Sequence, residues 1–292
     1  MIAEFDAMVG EYIRVVDEEG ATNKTVFIVT SDHGDMQMER QQYYKMVPYE
    51  PSASVPMVIA DGRHGRARIT EEPTQLIDIF PTIMDLAGVA STRRPTALDG
   101  SSLVPFMTGD IVADGTPPSR PPFIVSQFHG ADLAMSWFMI VQTIRGSTYK
   151  LIRWGTGAEV PSMLYNLTAD ASELDNLLEA SQRLLANRSI GLNLNPESDT
   201  VQSIEATLDA NLRGVINYPA VALDVARYGQ ESFVNWRKNT QHWKEKMTDK
   251  RLRWHHAWES ASIDPFESIE EWLAAPPKVM ACRSSLSWPP EQ

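Results

Sequence analysis

The residues best equipped for chemistry sit in one short stretch of the chain. Ser31-Asp32-His33-Gly34 follows the β-branched run Thr25-Val26-Phe27-Ile28-Val29-Thr30. In an open α/β sheet, ligands bind beyond the carboxyl ends of the strands. A polar turn at that place can aim the Asp32 carboxylate and the His33 imidazole at one cation. The structural alternative is that Asp32 caps the following segment and His33 is a surface residue. Twelve residues after His33 stands Lys45, an ammonium suited to an anion, although a lysine taken alone is usually solvated. His129 and Lys150 follow further strand-like segments and are weaker candidates. A histidine satisfied within the fold explains His129 equally well.

The elements that must position these groups read as follows. Ile2, Phe5, Met8, Val9, Tyr12, Ile13 and Val16 recur at helical spacing, so the chain opens inside an amphipathic helix, as expected of a sequence cut from something longer. Val55-Pro56-Met57-Val58-Ile59-Ala60 predicts a second buried strand. Pro73-Thr74 opens a helix carrying Leu76, Ile77, Phe80, Ile83, Met84 and Leu86, with Gly88 suited to its C-cap. This rhythm predicts an α/β fold with a mostly parallel sheet. Residues 90–122 are rich in Ser, Thr, Pro and Gly and read as a linker. Phe123-Ile124-Val125-Ser126, Trp137-Phe138-Met139-Ile140-Val141 and Tyr149-Lys150-Leu151-Ile152 then predict a small antiparallel sheet, followed by helices and a Trp-rich tail. The expected domains are residues 1–120 and 121–292.

Composition narrows the possible partners. The net charge of −12 argues against nucleic acid and other polyanions. Between Arg227 and His256, however, eight Lys/Arg face three acids. Those cations alternate with Trp236, Trp243, Trp254 and Trp258, either lining a groove for an acidic sugar chain or sitting on helices whose tryptophans pack inward. No run is long and apolar enough to span a membrane, and the acidic N-terminus does not read as a signal peptide. A single cysteine, Cys282, excludes an intrachain disulfide framework. Asn23, Asn166 and Asn187 each begin an N-x-[S/T] triplet and are candidate glycosylation sites.

The stretch from Thr30 to Pro56, with Asp32-His33-Gly34, Glu39, Lys45-Met46, Tyr49-Glu50, Ser52 and Val55-Pro56, resembles the C-terminal metal and sulfate loop of the sulfatases in the alkaline phosphatase superfamily. Leu76-Ile77-Asp78-Ile79-Phe80-Pro81-Thr82 with Ala87-Gly88 is similar to that family's next block. Tyr149-Lys150 and Leu164-Tyr165-Asn166-Leu167 with Glu173 and Asn176 are similar to its C-terminal strand and turn. The tail segments Ser126-Gln127-Phe128-His129-Gly130, Ile216-Asn217-Tyr218-Pro219, Phe233-Val234-Asn235-Trp236 and Arg253-Trp254-His255 resemble the arylsulfatase K branch. The resemblance implies the C-terminal portion of the sulfatase fold and a sulfuric ester hydrolase that removes the 2-sulfate of glucuronate in glycosaminoglycans such as heparan sulfate, in the lysosome or after secretion. It implies that Asp32 and His33 supply part of a Ca2+ shell, or that His33 hydrogen-bonds the sulfate, and that Lys45 contacts the sulfate. The partner is then a sulfated sugar or an aryl sulfate.

The family nucleophile is a formylglycine made within C-x-P-x-R or S-x-P-x-R, and no such motif occurs in these 292 residues. Cys282-Arg283-Ser284-Ser285-Leu286 lacks both the proline and the second arginine. The chain by itself is therefore expected to be inactive. Two other readings stay open: a non-catalytic module that holds sulfated glycan, and a related choline-sulfatase, phosphodiesterase or phosphonate hydrolase.

Overall fold

The computed structural model describes residues 2–63, 69–70, 73–108, 121–130, 136–155, 160–179, 196–247 and 264–277. Two compact units make up the chain, each assembled from separate segments. Met1–Ser126, Ile140–Lys150 and Tyr165–Asp175 form the first; Gln127–Met139, Leu151–Leu164 and Asn176–Gln292 form the second.

The first unit begins with α1 (Ile2–Glu18), whose Phe5, Val9, Tyr12 and Val16 face β1 (Val26–Thr30) across an open groove of about 300 Å³. The amphipathic row predicted from sequence is present, but it is not buried. Phe5, Met8 and Tyr12 are 55–64% exposed, and no residue of α1 belongs to the core. β1 pairs with β4 (Met57–Asp61) in antiparallel register, Val26 opposite Asp61 and Thr30 opposite Met57. The expected parallel arrangement is thereby corrected for these two strands. The segment between them doubles back through β2 (Met36–Gln37), β3 (Tyr43–Tyr44) and α2 (Glu50–Ala53), so the chain returns in the opposite direction. Both strands are also less covered than continuous apolar runs suggest: β1 is half-buried throughout, and β4 alternates until Asp61.

The helix predicted from Pro73-Thr74 forms as a tight turn, Leu76–Asp78, running into α3 (Ile79–Leu86). Gln75 and Asp78 cap each other's backbone N–H groups, satisfying orphan donors at the helix start. Gly88, at φ 65°, closes the other end as expected, with its N–H bonded to Asp85 and that of Val89 to Met84. The burial is inverted relative to the apolar pattern. Asp78 and Thr82 are fully buried, while Ile77, Phe80 and Ile83 are about half exposed. The buried pair has work to do: Asp78 Oδ1 accepts the Ser101 N–H at 2.8 Å, and Thr82 Oγ1 accepts that of Leu103 at 2.8 Å. Residues 101–103 are thus pinned to α3 rather than loose, which revises the N-terminal part of the expected linker. A short α4 (Val104–Thr108) follows, and residues 109–120 lie outside the described residues.

The small antiparallel sheet is present. Its order is β5 (Phe123–Phe128), β6 (Trp137–Ile144), β7 (Ser147–Trp154), β8 (Met163–Asn166). β6 and β7 meet at Arg145-Gly146, with φ of 52° and 83°, the left-handed pair that a two-residue antiparallel hairpin requires.

In the second unit, α5 (Pro196–Val215) buries Ile204, Leu208 and Leu212 at four-residue spacing, one stripe of a helix. Arg153 of β7 fastens this helix by hydrogen-bonding Asp209 at 2.9 Å and lying 3.2 Å from Glu205. α6 (Tyr218–Asn239) starts at the Asn217 cap and buries Tyr218, whose ring lies 4.8 Å from Phe138. α7 (Trp243–Met247) and α8 (Pro265–Ala274) complete an aromatic cluster. Phe233 lies 5.5 Å from Trp236, 6.2 Å from Trp243 and 5.7 Å from Trp272. Arg237 and Lys244 lie over Trp243. These tryptophans pack against aromatic neighbours, but Trp236 and Trp272 are 37% and 39% exposed, so the inward packing of the helix alternative is met only in part; Trp254 and Trp258 lie outside the described residues.

Two buried phenols give this packing a pH signature. Tyr165 is pushed up to about 12 by desolvation and then by Tyr49, and Tyr218 to about 12 by desolvation and then by Asp209. An unfolded tyrosine ionises near ~10. Between those values the unfolded chain releases protons that the native chain keeps, so stability is intact below about pH 10 and falls as pH rises towards 12. Ultraviolet titration should show these two phenols ionising together with the loss of circular dichroism. Ionisation of all eight tyrosines well before unfolding would contradict the burial.

Candidate functional site

The turn after β1 is held by its own polar groups and by a close approach to α2. Ser31 Oγ donates to the His33 carbonyl at 2.8 Å, and Asp32 Oδ1 accepts the His33 N–H at 3.1 Å. Asp32 therefore does cap locally, through one oxygen, while its side chain remains 82% exposed. Gly34 N–H bonds Ser52 O at 2.8 Å, and a Cβ on Gly34 would lie 2.0 Å from Pro51 O. Only a residue without a side chain lets the Asp-His turn rest on the backbone of α2.

His33 and Lys45, both candidates from the sequence, meet in the structure. Lys45 Nζ is 2.5 Å from His33 Nε2, and His33 Nδ1 is 2.8 Å from Gly34 O. A carbonyl only accepts and an ammonium only donates. The imidazole therefore carries its proton on Nδ1 and presents a lone pair at Nε2 to Lys45. Asp32 Oδ2, 3.3 Å from that same nitrogen, makes no ion pair with it in this tautomer. The Asp32 carboxyl is held below the usual carboxylate range. Desolvation, the largest single influence, pushes it up, but His33, backbone N–H groups and Lys45 together outweigh it. The cluster offers one exposed anionic oxygen donor beside one half-exposed ammonium. Among the described residues no group of three or more His, Cys, Asp and Glu side chains could hold a metal ion.

Lys45 stands on an unusual backbone. Met38, Arg40, Gln41, Tyr44 and Met46 all have positive φ, and the two flanking Lys45 reach 77° and 81°. For residues with a Cβ this costs roughly 1–2 kcal/mol each, so tertiary contacts must hold the loop. Lys150 supplies them, and the expectation that it faces the site is corrected. Its side chain is fully buried, 2.8 Å from Glu173 Oε1, 2.5 Å from Glu50 Oε1 and 3.1 Å from Pro48 O. Arg40 donates to the Glu173 carbonyl and lies 4.4 Å over the Tyr49 ring. Sequence reasoning missed Arg40 altogether and named Glu50 and Glu173 only through resemblance. Buried Lys and Glu are rare unless paired, but nothing in their local sequence reveals the pairing.

The remaining candidates stand apart. His129 falls in the second unit, half-buried, its ring 5.3 Å from Phe138 and both nitrogens without a hydrogen-bond partner among the described residues. Burial lowers its pKa, favouring the neutral ring. Asn23 lies exposed on the turn Thr22–Lys24, and Asn166 Oδ1 caps its own turn by accepting the N–H groups of Thr168 and Ala169. Asn187 lies outside the described residues.

Comparison with known proteins bears on the fold and the family. Residues 1–89 match the sulfatase family. The chain is 34% identical over 273 residues to the arylsulfatase K of Danio rerio, covering 94% of this chain and 46% of that protein. To that of Rattus norvegicus it is 34% identical over 277 residues, covering 94% and 44%. The chain thus spans about half the length of the curated relatives it matches. Among solved structures it is similar to a phosphonate monoester hydrolase of Agrobacterium radiobacter: 29% identity and a TM-score of 0.51 over 66% of this chain and 40% of the other. The expected C-terminal portion of a sulfatase-like fold is borne out.

Gly34→Ala tests the turn. Its methyl group would overlap Pro51 O, and we expect a loss of about 1–3 kcal/mol, the usual range for overpacking. Urea unfolding measures it, and an unchanged midpoint would show that the turn and α2 separate freely.

Proposed function

Because this chain carries a sulfatase-family domain and aligns with arylsulfatases K along nearly its whole length, we propose that it forms the C-terminal side of a sulfuric ester hydrolase whose substrate is a sulfated sugar, the 2-sulfate of glucuronate in a glycosaminoglycan. The observation that carries the reading is the Asp32-His33-Lys45 cluster, built on a pinned turn within the matched residues. Lys45 gives one N–H to His33 and has two more for a sulfate oxygen. His33, as acceptor, fixes where the ammonium sits, and the cation then stabilises charge on the sulfuryl group through preorganised electrostatics.

Asp32, an exposed carboxylate held ionised, suits a hard cation such as Ca2+. His33 suits it less, since its free nitrogen is a softer donor already engaged by Lys45. When bound, Ca2+ supplies Lewis acidity at a sulfate oxygen. Two side chains fall well short of the six to eight oxygens calcium prefers. Calorimetry on the 292-residue chain should therefore find binding no tighter than roughly the millimolar class. Micromolar affinity abolished by Asp32→Ala would mean that a fuller shell exists.

The similarity to a phosphonate monoester hydrolase favours one second reading, hydrolysis of a different tetrahedral anionic ester. The three sequons support passage through the secretory route to the lysosome or beyond. No helix among the described residues is long and apolar enough to cross a membrane.

Binding groups without a nucleophile leave the barrier to ester hydrolysis nearly untouched. We expect the chain alone not to turn over an aryl sulfate. Joined to the N-terminal half of an arylsulfatase K and co-expressed with the formylglycine-generating enzyme, it should hydrolyse aryl sulfate in preference to a phosphonate monoester. Lys45→Ala in that fusion should lower kcat by about 10²-fold. Turnover by the chain alone would sink the reading, and preference for the phosphonate would favour the second one.

A further inference from the structure

The proposed chemistry leaves a buried ion cluster unused. Glu173 lies almost wholly inside the first unit, and its two carboxylate oxygens serve different masters. Oε1 pairs with Lys150 Nζ at 2.8 Å, and Oε2 accepts the Glu50 N–H at 2.7 Å. Lys150 also donates to Pro48 O at 3.1 Å and meets the Glu50 carboxylate at 2.5 Å. Arg40 donates to the Glu173 carbonyl and stacks over Tyr49. The two ends of the segment from Arg40 to Glu50 are thus tied to one residue, and Lys45 lies between them, flanked by the left-handed Tyr44 and Met46.

A buried ion pair is weak as a source of net stability, since apolar residues of similar volume often do as well or better. Two apolar side chains in its place, however, could neither accept the Glu50 N–H nor satisfy Pro48 O. The geometry of the cluster is specific to the backbone that carries Lys45. We propose that Lys150 and Glu173, with Arg40 and Glu50, are positioning residues that clamp the strained 40–50 loop and so fix Lys45 against His33. This inference rests on the reading of Lys45 as the sulfate-contacting cation, and it acts on the loop rather than on any substrate.

The test uses the 292-residue chain at one fixed pH, with two readouts. The paired variant Lys150→Met/Glu173→Gln removes both charges together and so leaves no lone buried lysine or carboxylate. Hydrogen exchange should quicken at least ~10-fold at the backbone amides of residues 40–50, while the amides of β6 keep their protection. The nitrogen resonance of His33 Nε2, which senses the Lys45 hydrogen bond, should move towards its position in Lys45→Ala. The paired variant added to Lys45→Ala should move it no further. Unchanged loop exchange and an unmoved resonance would overturn the clamp. Exchange that quickens equally in β6 and β7 would assign the pair to general stability instead, which also overturns it. Arg40→Gln, which leaves the buried pair whole, should loosen the loop in the same direction and decides the matter if the paired variant does not fold. Failure of the sulfate reading shows separately, as an unchanged kcat of the Lys45→Ala fusion with the clamp measurements intact.

Discussion

Charge placed where water cannot reach it governs the first unit. Lys150 and Glu173 are 0% and 1% exposed, and stripping the solvent from either ion alone costs several kcal/mol. Each is tolerated because the other is present, and because Pro48 O, the Glu50 N–H and the Glu50 carboxylate fill the remaining hydrogen-bonding capacity. Those partners are backbone and side-chain groups of one loop. The condition for burying the pair is therefore also a condition on the path of the chain from Arg40 to Glu50. Four residues with side chains on that path, Arg40, Gln41, Tyr44 and Met46, are left-handed, and the hydrogen bonds of the local turn span only the first two.

From that path the rest of the site follows. Tyr49 and Ser52 are buried, α2 is set, and the Ser52 carbonyl accepts the Gly34 N–H. The turn bearing Asp32 and His33 is thus referenced to the same element that terminates the lysine loop. Lys45 and His33, contributed by two different stretches of chain, come within a single hydrogen bond. The resulting arrangement separates charge: an anionic oxygen suited to a cation on one side, an ammonium suited to an anion on the other, with a neutral imidazole between them.

Much of this was legible from sequence where the signal is local. The β-branched run before Ser31, the Gly88 closure, the hairpin strands and the family spacing of Asp32, His33 and Lys45 all depend on neighbours within a few dozen residues. Other features depend on what lies far away. Antiparallel pairing of β1 with β4 depends on how the segment between them turns, and its Met, Arg, Gln and Tyr residues carry no conventional signal for left-handed backbone. Lys150 looked like a candidate ligand because a lysine after a strand resembles any other lysine; its burial depends on Glu173 and on Pro48, 102 residues away. The apolar faces of α1 and α3 were read correctly as patterns but not as core, since periodicity shows which residues share a face and not whether anything covers it.

The separation in sequence has a consequence for how the molecule is made. Glu50 and Glu173 stand 123 residues apart. At roughly 5–20 residues per second of synthesis, the lysine loop emerges about 6–25 s before the carboxylate that will hold it. Throughout that interval the loop has only the bonds of its own turn, such as Met38 N–H to Gln42 O and Gln41 N–H to Met38 O, and lacks the buried ion pair. The Asp-His turn and the strands around it are therefore translated early but acquire their working shape late, once β7 and β8 have been synthesised and have paired. The order in which this site matures is set by its most distant residue.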